Sequence, residues 1–131
     1  MNLRTVRRAF AIAALIGGVC HAQISVSTIP YPDVPVLKPT DAAKVQILRA
    51  EPARPHQKLG EITVNAAADP TATAQQVEER LRAAAGKLGA DAAVIVVDPR
   101  QPSAVGSRSW WGTPKSRMTA GDVIAVAIRY Q

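Results

Sequence analysis

Residues 75–97, QQVEERLRAAAGKLGADAAVIVV, limit the fold more tightly than any other stretch of this chain. Val77, Leu81, Ala84, Ala85 and Leu88 recur at the spacing of one face of a 3.6-residue helix. Gln76, Glu79, Arg80 and Lys87 fall on other faces. Thr73 with Gln76 has the spacing of a capping box, in which each side chain satisfies an orphan backbone N–H. Glu78 and Arg82 form an i, i+4 pair. Ala83, Ala84 and Ala85 keep helix propensity high and let the helix lie close to a sheet. Gly89 follows the last apolar position, as a left-handed C-cap requires. The next run, Val94 to Val97, is apolar on both faces. A half-buried edge strand would alternate, so this spacing predicts an interior strand covered on both sides. The short Gly-Ala-Asp turn sends it straight back along the helix.

The remaining segments arrange themselves around that unit. Residues 45–49 predict a short strand with Val45 and Ile47 on one face. Residues 51–57, with Pro52, Pro55 and His56, read as a loop. Residues 59–64 predict a second strand, Ile62 and Val64 on one side and Glu61 and Thr63 on the other. Gly60 inside it predicts a bulge or a close backbone approach. Residues 122–130 predict a last strand, apolar on both faces and therefore interior. The expected fold is α+β in two layers, β-β-α-β-β, a four-stranded sheet with one helix on one face. The other face then needs a cover: the loop at 99–121, the proline-rich segment or a second subunit. So small a core also leaves self-association as a homo-oligomer open.

Three regions follow from composition. Residues 1–22 read as a signal peptide: Arg4, Arg7 and Arg8, then the apolar run 9–19, then small residues before a cut between Ala22 and Gln23. The apolar run falls short of the ~20 residues a spanning helix needs. Cys20 raises lipid anchoring as a second reading, but Val19 before it fits an acylation motif poorly. Arg7-Arg8 resembles a twin-arginine signal only weakly, and an ordinary leader is the preferred reading. Residues 23–43, with Pro30, Pro32, Pro35 and Pro39, read as an extended arm or linker. Residues 44–131 read as a single α+β domain carrying the long loop 99–121.

Charge and cysteine usage exclude several classes. The whole chain has 16 basic and 10 acidic residues, a net charge of +6, but three arginines leave with the leader and halve that excess. Nucleic acid is therefore not an expected partner. The one cysteine leaves too, so the working protein has neither a disulfide nor thiol chemistry. Among its polar residues, His56 reads as a solvated loop histidine, Glu78 and Glu79 as a wet helix face, and Asp91 as a turn residue. There is no phosphate loop, nucleophile elbow or ligand set for a metal. No cofactor and no enzymatic activity are expected.

The segments Leu59-Gly60-Glu61-Ile62, Leu81 to Val94 (with Leu88-Gly89-Ala90-Asp91-Ala92-Ala93-Val94) and Val126-Ala127-Ile128-Arg129-Tyr130 are similar to a pattern in small exported envelope proteins. The pattern resembles the domain of the stress-sensing outer-membrane lipoproteins of the Rcs relay and of other exported proteins with an LGADAVI-type signature. It spans residues 45–130. The resemblance implies a Gram-negative envelope location, the β-β-α-β-β fold and a non-enzymatic role. It does not carry over stress sensing, because that domain has disulfide cysteines and a lipid anchor. A related group of small β-α-β proteins is labelled heavy-metal-binding, and this chain has no ligand cluster for that.

One stretch has the chemistry of a binding surface. Loop 99–121 holds Arg100, Arg108, Lys115 and Arg117, no acid, and Trp110-Trp111 between them. Cations beside aromatics suit a protein partner or an anionic envelope component such as lipopolysaccharide or a peptidoglycan fragment. The bland alternative packs an indole over the open sheet face and leaves the arginines in water. The expected function is a periplasmic interaction or structural module, or else a binding module for such an anionic ligand.

Overall fold

The computed structural model describes residues 24–67, 69, 71–100, 108–112 and 121–131. The helix forms as its spacing predicts. α1 spans Ala74–Lys87 and buries Val77, Leu81, Ala84, Ala85 and Gly86. Thr73 accepts from the Gln76 amide at 3.2 Å, and its own amide donates to Gln76 Oε1 at 2.9 Å, closing the capping box. Just upstream, the Asp69 carboxylate accepts from the Thr71 hydroxyl and amide, which holds its pKa below the ordinary value. At the other end Ala90 N–H bonds to Ala85 C=O and Gly89 N–H to Gly86 C=O, both at 3.0 Å, while Gly89 sits at φ 79°. Those two bonds and that dihedral make a Schellman stop.

The sheet has five strands, not four. β1 is Ser25–Pro30, β2 Gln46–Leu48, β3 His56–Asn65, β4 Ala92–Val97 and β5 Asp122–Tyr130. Their order is β1-β3-β5-β4-β2, so β4 and β5 are interior, as their two-sided apolar patterns require. β2 runs parallel to β4 and the other pairings are antiparallel. β3, α1 and β4 form a crossover unit into which β5 is inserted. Gly60 marks a register shift between β3 and β5. A Cβ there would stand 2.8 Å from the Ile29 carbonyl oxygen, so its absence permits the close approach of β1.

β1 comes from the segment read as an arm. The prolines concealed it: they cluster at 30, 32 and 35, but Pro30 only ends the strand. From there residues 31–45 travel beneath the C-terminal end of α1 to the opposite edge of the sheet. The Thr40 amide donates to Gly86 C=O at 2.8 Å, and its hydroxyl donates to Ala90 C=O at 2.7 Å. Gly86 and Gly89 make room for this passage. A Cβ on Gly86 would lie 2.8 Å from the Thr40 carbonyl oxygen. A short 3₁₀ turn, Ala42–Lys44, then leads into β2.

Each sheet face has its own core. The helix side is aliphatic: Val45, Leu59, Ile62, Val64, Ile95 and Val123 meet Val77, Leu81 and Ala85. Side chains of that size contribute about 1.5–3 kcal/mol each when fully buried. The second face is built on Val94, Val96, Ile124, Val126 and Ile128. A single helical turn, α2 at Arg108–Trp111, lies in the stretch read as lacking helix, and its Trp110 covers this second face. Among the described residues no helix is long and apolar enough to cross a membrane.

Candidate functional site

Alternation along β3, fixed by pairing with β5, puts His56, Lys58, Glu61 and Thr63 on the second face beside Tyr130, Ile128, Val126 and Ile124. The strand is therefore polar where its neighbour β5 is apolar. Glu61 is nonetheless 1% exposed and Thr63 is buried. Aromatic side chains gather over this surface. Trp110 is buried against the aliphatic cluster, and Tyr31, Trp111 and Tyr130 pack partly buried around it. These are all the tryptophans and tyrosines of the chain. None joins the helix-side core.

Trp110 is held by three contacts. Its indole Nε1–H donates to His56 Nε2 at 3.2 Å. The Lys58 ammonium stands 4.5 Å from the centre of its ring and donates to the Trp110 carbonyl oxygen. The first contact fixes the histidine tautomer: with Nε2 accepting, Nδ1 carries the proton and donates to Arg54 C=O at 2.8 Å. His56 is thus a half-buried bracket at the start of β3, not the solvated loop residue the sequence suggested. Its partner lies 54 positions away, beyond the reach of any local pattern. Trp111 is half-buried, and its indole N–H is buried with no hydrogen-bond partner among the described residues.

At the rim of this face, the Arg54 guanidinium lies 4.4 Å from the centre of the Tyr130 ring. Two shallow depressions flank it. One, of about 440 Å³, is bordered by Lys44, Gln46, Arg54, Asp91, Tyr130 and Gln131. The other, of about 530 Å³, runs along residues 51–56 and Gln131. Asp91 serves more than its own turn: its Oδ2 accepts from the Tyr130 amide at 2.9 Å and ties β4 to the end of β5. Lys44, Arg54 and Lys58 were not singled out in the sequence. Their placement depends on Tyr130 and Trp110, which are remote from them in the chain.

The loop residues expected to act together are divided. Arg100 sits at the far end of the sheet, near Gly121 and the start of α1, and donates to Ala72 C=O at 3.1 Å. Trp110 lies toward the other end, against His56 and Lys58 at the start of β3. Arg108 is the first residue of α2. Lys115 and Arg117 lie outside the described residues, as do Cys20 and the expected cleavage site at Ala22 and Gln23. The acidic residues of the helix are also placed. Glu78 pairs with Arg49 at 3.3 Å and Arg82 at 3.7 Å, and Arg49 bridges on to Asp98 at 3.2 Å. Among the described residues no three of His, Cys, Asp and Glu group to hold a metal.

Burial, with the Glu61 charge as a second cause, pushes the Tyr31 phenol up from 10.0 to about 12. The fold therefore holds this proton more tightly than the unfolded chain does. That contribution to stability is complete below pH 10 and is lost as pH rises toward 12. The urea midpoint is expected to fall more steeply across that interval in the wild type than in Tyr31→Phe. Equal slopes would show that Tyr31 is not the group involved. Comparison of the whole chain with protein-family models, curated proteins and solved structures finds no match.

Proposed function

We propose that this protein is an exported, non-enzymatic interaction module of the cell envelope, and that it meets its partner through the aromatic, cationic end of the second sheet face. One observation carries the reading. Every tryptophan and tyrosine collects on that face, with Lys58 and Arg54 each stacked on one of them. Aromatic and arginine side chains are the residue types that dominate binding surfaces. Trp110 acts from within: bracketed by His56 and Lys58, it sets the position of Trp111. The exposed participants are Arg54, Lys44 and the free edges of Trp111 and Tyr130.

The leader-like residues 1–22, with a cut between Ala22 and Gln23, support delivery to the periplasm. The resemblance to stress-sensor lipoproteins of the Rcs relay supports the same compartment, and its three segments coincide with β3, α1–β4 and β5. The site departs from the loop surface expected from sequence: Lys58 stands on Trp110 and Arg54 on Tyr130, while Arg100 lies at the other end of the sheet. In this reading the partner is an envelope protein. The depression bordered by Lys44 and Arg54, with Asp91 beside them, also favours an anionic envelope component, either lipopolysaccharide or a peptidoglycan fragment.

The test uses Arg54→Glu and Trp111→Ala, which leave the Trp110 bracket intact. In-cell crosslinking followed by pull-down should recover fewer partners with each variant than with wild type. Titration with lipopolysaccharide micelles and with soluble muropeptides, followed by tryptophan fluorescence, separates the anionic reading. A salt-sensitive shift lost in Arg54→Glu supports it. An unchanged crosslinking pattern together with silent titrations would end both.

A further inference from the structure

The second candidate surface lies on the helix side of the sheet, at its β1 edge. β1 is terminal in the strand order, so its outer edge has no strand beside it among the described residues. The Tyr31 amide donates to Leu59 C=O at 3.0 Å, which makes that pair an inward-bonded one. Antiparallel alternation then turns the backbone groups of Val26 and Thr28 outward. Pro30, the next outward position, has no N–H and ends the open edge.

A trough follows this edge. One part, about 300 Å³, lies between Val26 and Thr28 of β1 and Arg80 and Ala84 of α1 with its C-cap Leu88. The next, about 190 Å³, lies between Leu88 and the turn carrying Val34, Pro35 and Val36. The two share Lys87 and Leu88, so they are continuous. Val26 and Val36 are the large apolar side chains that are exposed among the described residues, and each lines one part. Among the described residues the charged side chains that line the trough are Arg80 and Lys87.

We infer that this trough is a strand-addition site for an extended peptide that alternates apolar and acidic residues. The peptide bonds to the outward groups of Val26 and Thr28. Its apolar side chains enter the trough, and its carboxylates meet Arg80 and Lys87. Strand addition draws affinity from main-chain bonds and selectivity from pockets for alternate side chains, and this edge supplies both. A second copy of this chain fits less well, because it would bring the same two cations to the contact. The site is separate from the aromatic face, so different substitutions report on each.

The test pans a display library of random linear decapeptides against the full chain, then measures the enriched peptides by fluorescence anisotropy. Enriched sequences are expected to alternate apolar residues with Asp or Glu. Val26→Lys and Lys87→Glu, both at exposed positions, should each weaken them at least tenfold, while Arg54→Glu leaves them unchanged. Hydrogen exchange on the wild-type protein gives a readout independent of any variant: bound peptide should slow exchange at Val26 and Thr28. Four results would overturn the inference. These are no enriched sequence, enriched peptides insensitive to both substitutions, slow exchange at Val26 and Thr28 in the free chain, or a concentration-dependent dimer dispersed by Val26→Lys.

Discussion

Replacing Trp110 with alanine should cost about 3–5 kcal/mol, the range for truncating a buried large aromatic. Small domains have only about 5–15 kcal/mol in total, so the variant should unfold at a much lower urea concentration. The indole is 8% exposed and lies against Val94, Val126 and Ile128. Its loss opens the second face to water and leaves Lys58 and His56 without the ring they bracket. Trp110→Phe separates the contributions: it keeps most of the packing but loses the bond to His56, for a loss nearer 1 kcal/mol. Trp111 should behave in the opposite sense. Its buried indole N–H has no partner among the described residues, so Trp111→Phe removes an unsatisfied donor and should be neutral or stabilising. Urea unfolding followed by far-ultraviolet circular dichroism measures all three. A loss below about 1 kcal/mol for Trp110→Ala would mean that the indole does not close the face.

The second large effect is expected at the helix stop. Gly89→Ala meets two penalties. A left-handed backbone costs a residue with a Cβ about 1–2 kcal/mol, and Gly89 has φ 79°. The new Cβ would also stand 2.7 Å from Leu37 Cβ and 2.8 Å from the Lys38 carbonyl oxygen, both in the segment passing beneath the helix. Overpacking of that kind adds about 1–3 kcal/mol. Gly112 is the control, because it has φ 87° and open space among the described residues. Gly112→Ala should show the backbone penalty alone. If the two substitutions cost the same in urea unfolding, the passage of residues 37–38 contributes nothing at Gly89.

The contrast between those glycines marks how far local pattern reaches. That Gly89 ends a helix is legible from its place after Leu88. That a second segment lies against it is not, because residues 37–40 and 86–90 share no periodicity. The candidate site divides in the same way. Trp110 and Trp111 stand out in the sequence, and the bland reading of an indole over the sheet is the one the fold adopts for Trp110. Arg54 and Lys58 carry no sequence signal and His56 reads as a solvated loop residue, since nothing near them in the chain hints at an aromatic partner.

By itself, the sequence determined the elements whose signals are local. These are the helix with its cap and left-handed glycine stop, the interior character of β4 and β5, the bulge or close backbone approach expected at Gly60 and the division of β3 into an apolar and a polar face. All of these depend on periods of 2 and 3.6 residues and on backbone permissiveness, which neighbours in the chain already express. The tertiary structure alone decided that β5 enters between β3 and β4 and that Ser25–Pro30 completes the sheet. It also separated Arg100 from the tryptophans and placed His56 and Lys58 on Trp110. Those outcomes depend on which surfaces meet when apolar faces are buried, and contacts between residues more than 50 positions apart leave no periodic trace in the chain.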